Sequence, residues 1–286
     1  MPDAVNPVES VEILLTSVAL GFLSGIVLAL TGAGGTIIAV PLLIFGLHLS
    51  VSEAAPIALL AVCLSSTVGA VIAHRQGKVR YRAAGFIAIT GIIAAPMGIW
   101  LAQKLPNAPL TILFALVLCY VAVDMLRQSS TQPIEAAKTA SDCQSQVSAT
   151  PCQLEYSGGR LMWTWPCARA LAFSGVITGF LSGLLGVGGG FVVVPALKKA
   201  TNLPIHSILA TSLAVIALVS AMGVMSATVI GGINGPVAVP FAAGALIGML
   251  IGRMFAHYLA GPRLQQGFAV VAMGVSIGMV VRLFLT

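Results

Sequence analysis

Charge is what this sequence has least of. Asp, Glu, Lys and Arg make up 8% of its 286 residues, where a soluble domain carries about 25%. So few charges cannot cover a water-facing surface, and a soluble globular fold is excluded. The acidic residues are Asp3, Glu9, Glu12, Glu53, Asp124, Glu135, Asp142 and Glu155, and none falls clearly at the middle of an apolar run. A buried carboxylate proton relay is therefore not visible. His48, His74, His206 and His257 all lie near run ends or in loops. The net charge of +6 is modest and spread over short loops. That excludes the clustered basic face that nucleic-acid binding needs.

Other absences narrow the class further. No nucleotide-binding loop, nucleophile–base pair or metal-ligand cluster is present, which argues against a primary pump, an intramembrane enzyme and any bound cofactor. A dinucleotide fingerprint would need a preceding strand in a βαβ unit, and no soluble α/β pattern exists. No Lys or Arg precedes the first apolar run, so that run is expected to be a retained helix and not a cleaved signal peptide. The five cysteines are odd in number and suggest no disulfide framework. Cys63 and Cys119 fall in apolar runs as packing residues, and Cys143, Cys152 and Cys167 are too loosely spaced for a zinc signature.

What is present is hydrophobic sequence in blocks. Hydrophobic residues are 58% of the chain and the mean hydropathy is +1.03. Apolar runs of about 20 residues, enough to cross a bilayer core, recur along it. They are continuously apolar and do not alternate as the strands of a membrane barrel would. The expected fold class is an all-α polytopic membrane protein.

The runs span 11–30, 37–47, 51–73, 83–104 and 108–127, and then 168–185, 189–199, 204–228, 237–259 and 264–285. Between the two sets lies a polar stretch closed by Trp163 and Trp165, which are placed as interface anchors. The expected domains are a first transmembrane repeat at 1–128, a polar cytoplasmic linker at 129–167 and a second transmembrane repeat at 168–286. Arithmetic supports duplication. Pro195 minus Pro41 is 154, Gly186 minus Gly32 is 154, and the same offset pairs Ser66 with Ser220, Gly69 with Gly223 and Gly98 with Gly252. Upstream, Gly21-Phe22-Leu23-Ser24-Gly25 returns as Gly179-Phe180-Leu181-Ser182-Gly183 at an offset of 158.

Two topologies compete. If the short segments are re-entrant, each repeat has four spans and the halves are parallel. If they cross, each repeat has five and the halves are inverted. Basic residues collect on the cytoplasmic side. The inverted arrangement places the 74–82 loop, the linker, Lys198-Lys199 and Arg263 there, and leaves only Lys104 and Arg282 misplaced. The charges favour inverted repeats of five helical segments, each with one broken helix, as in many secondary transporters.

The breaks are Thr31-Gly32-Ala33-Gly34-Gly35-Thr36 and Gly186-Val187-Gly188-Gly189-Gly190, each followed by a proline at the same distance. Irregular backbone inside a membrane is tolerated only where it is buried in protein or lines a polar cavity. Successive glycines let N–H groups converge, and the following helix adds the positive end of its dipole, which together make an anion site. Candidate binding groups are Gly32, Gly34, Gly35 and Thr36 in the first repeat and Gly186, Gly188, Gly189 and Gly190 in the second. Ser65 and Ser66, with Thr211 and Ser212, are polar residues inside spans that could line the path; each alone could equally bond back to its own helix. Gly21, Gly25, Gly179 and Gly183, spaced four apart, fit close helix packing better than binding.

The run Gly-Phe-Leu-Ser-Gly at 179–183, then Gly-Val-Gly-Gly-Gly at 186–190 and Val-Val-Val-Pro at 192–195, resembles the sulfite exporter TauE/SafE family of membrane permeases. Ala210-Thr211-Ser212 and the duplicated layout are similar to that family as well. The resemblance implies movement of sulfite, an organosulfonate or a related sulfur-containing or carboxylate anion across a bacterial-type inner membrane. It places the anion on Gly186, Gly188, Gly189, Gly190 and Thr211 and on their partners Gly32, Gly34 and Gly35. The first repeat departs from the pattern: its glycine run is shorter, and Pro56-Ile57-Ala58 stands where the second has Ala210-Thr211-Ser212. The expected partners are a small anion and the lipid bilayer, with a coupling ion, H+ or Na+, left open. The competing reading is a non-transporting membrane scaffold or assembly factor that acts through its cysteine-containing linker.

Overall fold

A computed structural model describes residues 7–31, 35–75, 81–138, 165–200, 205–230, 235–259 and 262–285. These residues form ten α-helices and no strand: α1 Pro7–Thr31, α2 Gly35–Gly46, α3 Val51–Arg75, α4 Tyr81–Lys104, α5 Asn107–Lys138, α6 Trp165–Leu185, α7 Gly190–Ala200, α8 Ile205–Ile230, α9 Gly235–Leu259 and α10 Pro262–Leu285. Seven of them (α1, α3, α4, α5, α6, α8 and α9) contain stretches long and apolar enough to cross a membrane. Large apolar side chains such as Leu15, Ile93, Met97, Phe173, Val229 and Met254 stand exposed on the outside of the bundle. A water-soluble monomer does not carry so much exposed apolar surface; a bilayer covers it.

Most helix limits fall within a residue or two of the apolar runs. α5 differs, since it runs on to Lys138, past the boundary placed at 128. The rest of the linker, with Cys143, Cys152 and Trp163, lies outside the described residues. Cys167, buried at the start of α6, is disulfide-bonded. This corrects the expectation of no disulfide, because spacing along a chain does not reveal proximity in space. α3 opens with the Glu half of a capping box: Ser50 donates its N–H and its hydroxyl to one Glu53 carboxylate oxygen, at 3.0 and 2.7 Å. Glu53 therefore caps a helix.

The long helices pack in matched pairs. α1 and α9 run parallel, with the Gly21 backbone against Phe241 and Ala245, Gly25 against Ala245 and Met249, and Gly252 against Ile26. α4 and α6 also run parallel, with Gly175 against Ile87, Gly179 against Gly91 and Gly183 against Ala95. Subtracting 158 from Gly179 gives Gly21, and adding 154 to Gly91 gives Ala245. One interface is thus the counterpart of the other. A Cβ on these glycines would strike the facing backbone, so here the small residues serve close approach.

The central pair behaves differently. Leu59 of α3 lies against Gly223 of α8, the Cys63 thiol 3.8 Å from the Ala217 carbonyl, and Ala73 beside Ala210. Numbers rise along α3 as they fall along α8, so these corresponding helices cross antiparallel. Cys63 and Ala217 are 154 residues apart, and Cys63 is the midpoint of α3, twelve residues from Val51 and twelve from Arg75. α5 and α10 repeat the arrangement: Cys119 meets Met273, again 154 residues on, and the Ser276 hydroxyl donates to the Ala115 carbonyl at 2.8 Å. Antiparallel contact between corresponding helices is the geometry that inverted halves require.

Candidate functional site

The second break begins where α6 ends. Gly186 adopts a left-handed φ of 72° and donates its N–H to the Ser182 carbonyl at 2.9 Å, which caps the helix in the left-handed manner that favours glycine. Gly188 and Gly189 follow with φ of 68° each, so three of the four residues from Gly186 to Gly189 hold a conformation that side chains with a Cβ rarely adopt. The Gly189 carbonyl then accepts from Val192 at 3.1 Å and Val193 at 3.4 Å, starting α7. Among the described residues, no backbone carbonyl takes up the N–H groups of Gly188, Gly189, Gly190 and Phe191. Left-handed glycines placed on either side of Val187 in this turn let such groups converge into a concave cradle, and the N-terminus of α7 adds about half a positive charge.

This cradle lies deep in the bundle. A Cβ on Gly188 would meet the Ser220 hydroxyl at 2.9 Å and Val62 at 2.9 Å, while Gly189 rests on Thr178 and Gly186 on Ala55. Val62 adjoins the midpoint of α3, so the break reaches the level of mid-span. None of these neighbours carries a charge. The Thr178, Ser182 and Ser220 hydroxyls are buried without a hydrogen-bond partner, as is that of Ser65. Thr178 and Ser182 are four residues apart on α6, hence on one face; α7 folds back along it, and Ser220 approaches from α8.

The residues singled out from the sequence are distributed as follows. Gly186, Gly188, Gly189 and Gly190 come together in the cradle. Ser65 sits buried on α3, two residues from the Cys63 crossing. The Ser66 hydroxyl is spent on its own helix, donating to the Val62 carbonyl at 2.6 Å. Thr211 and Ser212 likewise donate to Ser207 at 2.6 Å and Leu209 at 2.9 Å. They lie below the second break, about 13 Å along α8 from Ser220 at 1.5 Å per residue. Their neighbour Leu213 packs with Leu28, near the end of α1. Thr211 and Ser212 thus belong to the level of the first break, because antiparallel crossing sends the start of α8 to the opposite side.

At the first break, Gly32 and Gly34 lie outside the described residues, as does the side chain of Thr36. Gly35 starts α2 with its backbone pressed against Leu28, and the Thr31 hydroxyl donates to the Val27 carbonyl at 2.7 Å. α2 returns antiparallel along α1, with Gly46 reaching Leu20. Nearby, Arg253 of α9 donates to the Gly69 carbonyl at 3.0 Å. At the far end of α7, Lys198 interacts electrostatically with Asp124 of α5. Among the described residues no group of His, Cys, Asp and Glu could hold a metal ion.

Sequence reasoning named the glycines and missed Thr178 and Ser182. Ser182 stands inside a motif that reads as packing, and Thr178 sits one turn earlier. The available signal was their spacing of four, which puts both hydroxyls on the face leading into the break.

A family model described as Sulfite exporter TauE/SafE matches residues 17–279. A probable membrane transporter protein of Xylella fastidiosa (strain Temecula1) is 27% identical over 275 residues, covering 94% of this chain and 95% of that protein. The probable membrane transporter protein YunE of Bacillus subtilis (strain 168) is 26% identical over 242 residues, covering 82% and 85%. No solved structure matches.

Proposed function

The chain belongs to the sulfite exporter TauE/SafE family, and we propose that it is a secondary transporter that carries a small anion across the bacterial inner membrane by alternating access. The similar proteins named as probable membrane transporters support the coarse reading. One observation carries the finer one: a mid-span break in which left-handed glycines leave a row of N–H groups without backbone acceptors, facing uncharged neighbours. Hydrocarbon cannot satisfy such groups, and a dissolved anion can. Sulfite, an organosulfonate or a related sulfur-containing or carboxylate anion suits the cradle's donor character.

The two halves act as inverted repeats. The second break docks beside the central α3–α8 crossing, and rocking one half against the other opens the cradle to each side in turn. Flux into liposomes containing the purified protein is the direct test, run with sulfite, methanesulfonate, sulfate and acetate. Counterflow exchange of one of these anions is the expected result. Absence of flux with all four, together with phenotypes confined to linker variants, would overturn transport in favour of the scaffold reading. A reporter fused near Asn202 is expected to be cytoplasmic, and a periplasmic signal would overturn the inverted repeats.

A further inference from the structure

Buried hydroxyls in this bundle are almost always spent. Eleven Ser and Thr residues are buried among those described. Removing the four without a partner, Ser65, Thr178, Ser182 and Ser220, leaves seven, and each of those donates to a carbonyl: Ser24 to Gly21, Ser174 to Leu171 and Ser276 to Ala115 are examples. A buried hydroxyl without a partner carries a desolvation cost, and a helical Ser or Thr can nearly always avoid it by bonding back to its own turn. Three of the four exceptions nevertheless surround one break. The Ser220 hydroxyl stands 2.9 Å from where a Gly188 Cβ would be, Thr178 lies against Gly189 with its methyl and backbone carbonyl, and the Ser182 carbonyl accepts the Gly186 N–H.

We infer that the Thr178, Ser182 and Ser220 hydroxyls are ligand contacts which, with the Gly188–Phe191 N–H groups, take a singly charged oxyanion at the second break. This rests on the anion-transport reading and deepens it. The charge state follows from the surroundings. The residues in contact with the glycines supply no cation, so the bound charge is offset only by the end of one helix dipole and by neutral donors. The cost of burying an ion rises with the square of its charge, which disfavours a dianion here. The hydroxyls add what backbone N–H groups lack, because they accept as well as donate. They can therefore hold a protonated oxygen of a monoanion as readily as a bare one.

The test uses the full-length protein in detergent. Thermal stabilisation is titrated with sodium methanesulfonate and with sodium sulfate at matched ionic strength, for the wild type and for S220A, S182A, T178V and S66A. Methanesulfonate is expected to stabilise the wild type and sulfate to do so far less. S220A, S182A and T178V are each expected to weaken methanesulfonate about tenfold, as loss of one hydrogen bond to a charged group does. Their ligand-free melting temperatures should stay the same or rise, because an unpaired buried group has been removed. S66A should leave affinity unchanged. If T178V does not fold, S220A and S182A decide. Unchanged affinity in the hydroxyl variants would overturn this inference and leave transport standing. Equal stabilisation by sulfate would overturn its charge selectivity. No stabilisation of the wild type by either salt, with no flux in liposomes, would overturn both this and the transport reading.

Discussion

The buried hydroxyls of the residues that contact the second break have no partner, whereas those of their serine counterparts in the first half are already occupied. Ser182 corresponds to Ser24, which donates to Gly21 at 2.8 Å, and Ser220 corresponds to Ser66, which donates to Val62 at 2.6 Å. Thr178 minus 158 is Leu20, which offers no hydroxyl at all and packs on Gly46. The second arm also carries Lys198, drawn to Asp124, while α2 contains no charged residue. One sequence pattern thus occurs in two forms. In one half its glycines are surrounded by groups able to receive a ligand, and in the other the corresponding groups serve the helix itself.

Substitution at the paired glycines should separate these roles most sharply. Gly35→Val drives a branched side chain into the Leu28 backbone. Overpacking of that kind costs about 1–3 kcal/mol or more, and the folded protein is expected to be lost, as judged by yield and by a monodisperse peak on size exclusion. Gly188→Val brings its new Cβ nearest to atoms of the Ser220, Val62 and Ile216 side chains, which can shift. It adds about 1–2 kcal/mol for the left-handed backbone and fills the cradle, so the expected result is assembled protein without anion flux. If Gly35→Val assembled and Gly188→Val transported, the contrast between the two breaks would be gone.

A smaller effect, opposite in sign between the halves, is expected on stability. Ser24→Ala removes a made hydrogen bond and should cost about 0.5–1 kcal/mol, whereas Ser182→Ala removes an unsatisfied buried group and should gain about 1 kcal/mol. Thermal melting in detergent without added anion reads both. The smallest perturbation tests the relation of the halves themselves. In a cysteine-free background, Ala73→Cys with Ala210→Cys should cross-link on oxidation, and Ala73→Cys with Ala227→Cys should not. The reverse result would mean that α3 and α8 run parallel.

Much of this architecture was legible in the sequence because a bilayer permits few solutions. Ten apolar runs became ten helices, and the prolines at 41 and 195 marked short helices after each break. The second helix break was legible too, since its glycines stand between two apolar runs and three of them hold a positive φ. The polar partners were not. Whether Ser182 or Ser24 is free depends on a hydroxyl rotation and on what folds back over it, and the two residues occupy the same five-residue motif. Thr211 and Ser212 were candidates as polar residues inside a span, and Thr211 also through the family resemblance. The antiparallel crossing moved them to the other level, an effect that only three-dimensional packing reveals.

The Cys63–Ala217 contact has a practical consequence for watching this protein move. It joins two corresponding residues at the centre of the α3–α8 crossing. An exchange of conformation between the halves carries each partner into the position of the other and leaves their separation unchanged. A pair of spectroscopic labels there would be a built-in zero, fixed through the proposed cycle. Any change recorded between Ala55 and Gly186, which touch across the break on the other side of that zero, can then be read against it as opening or closure.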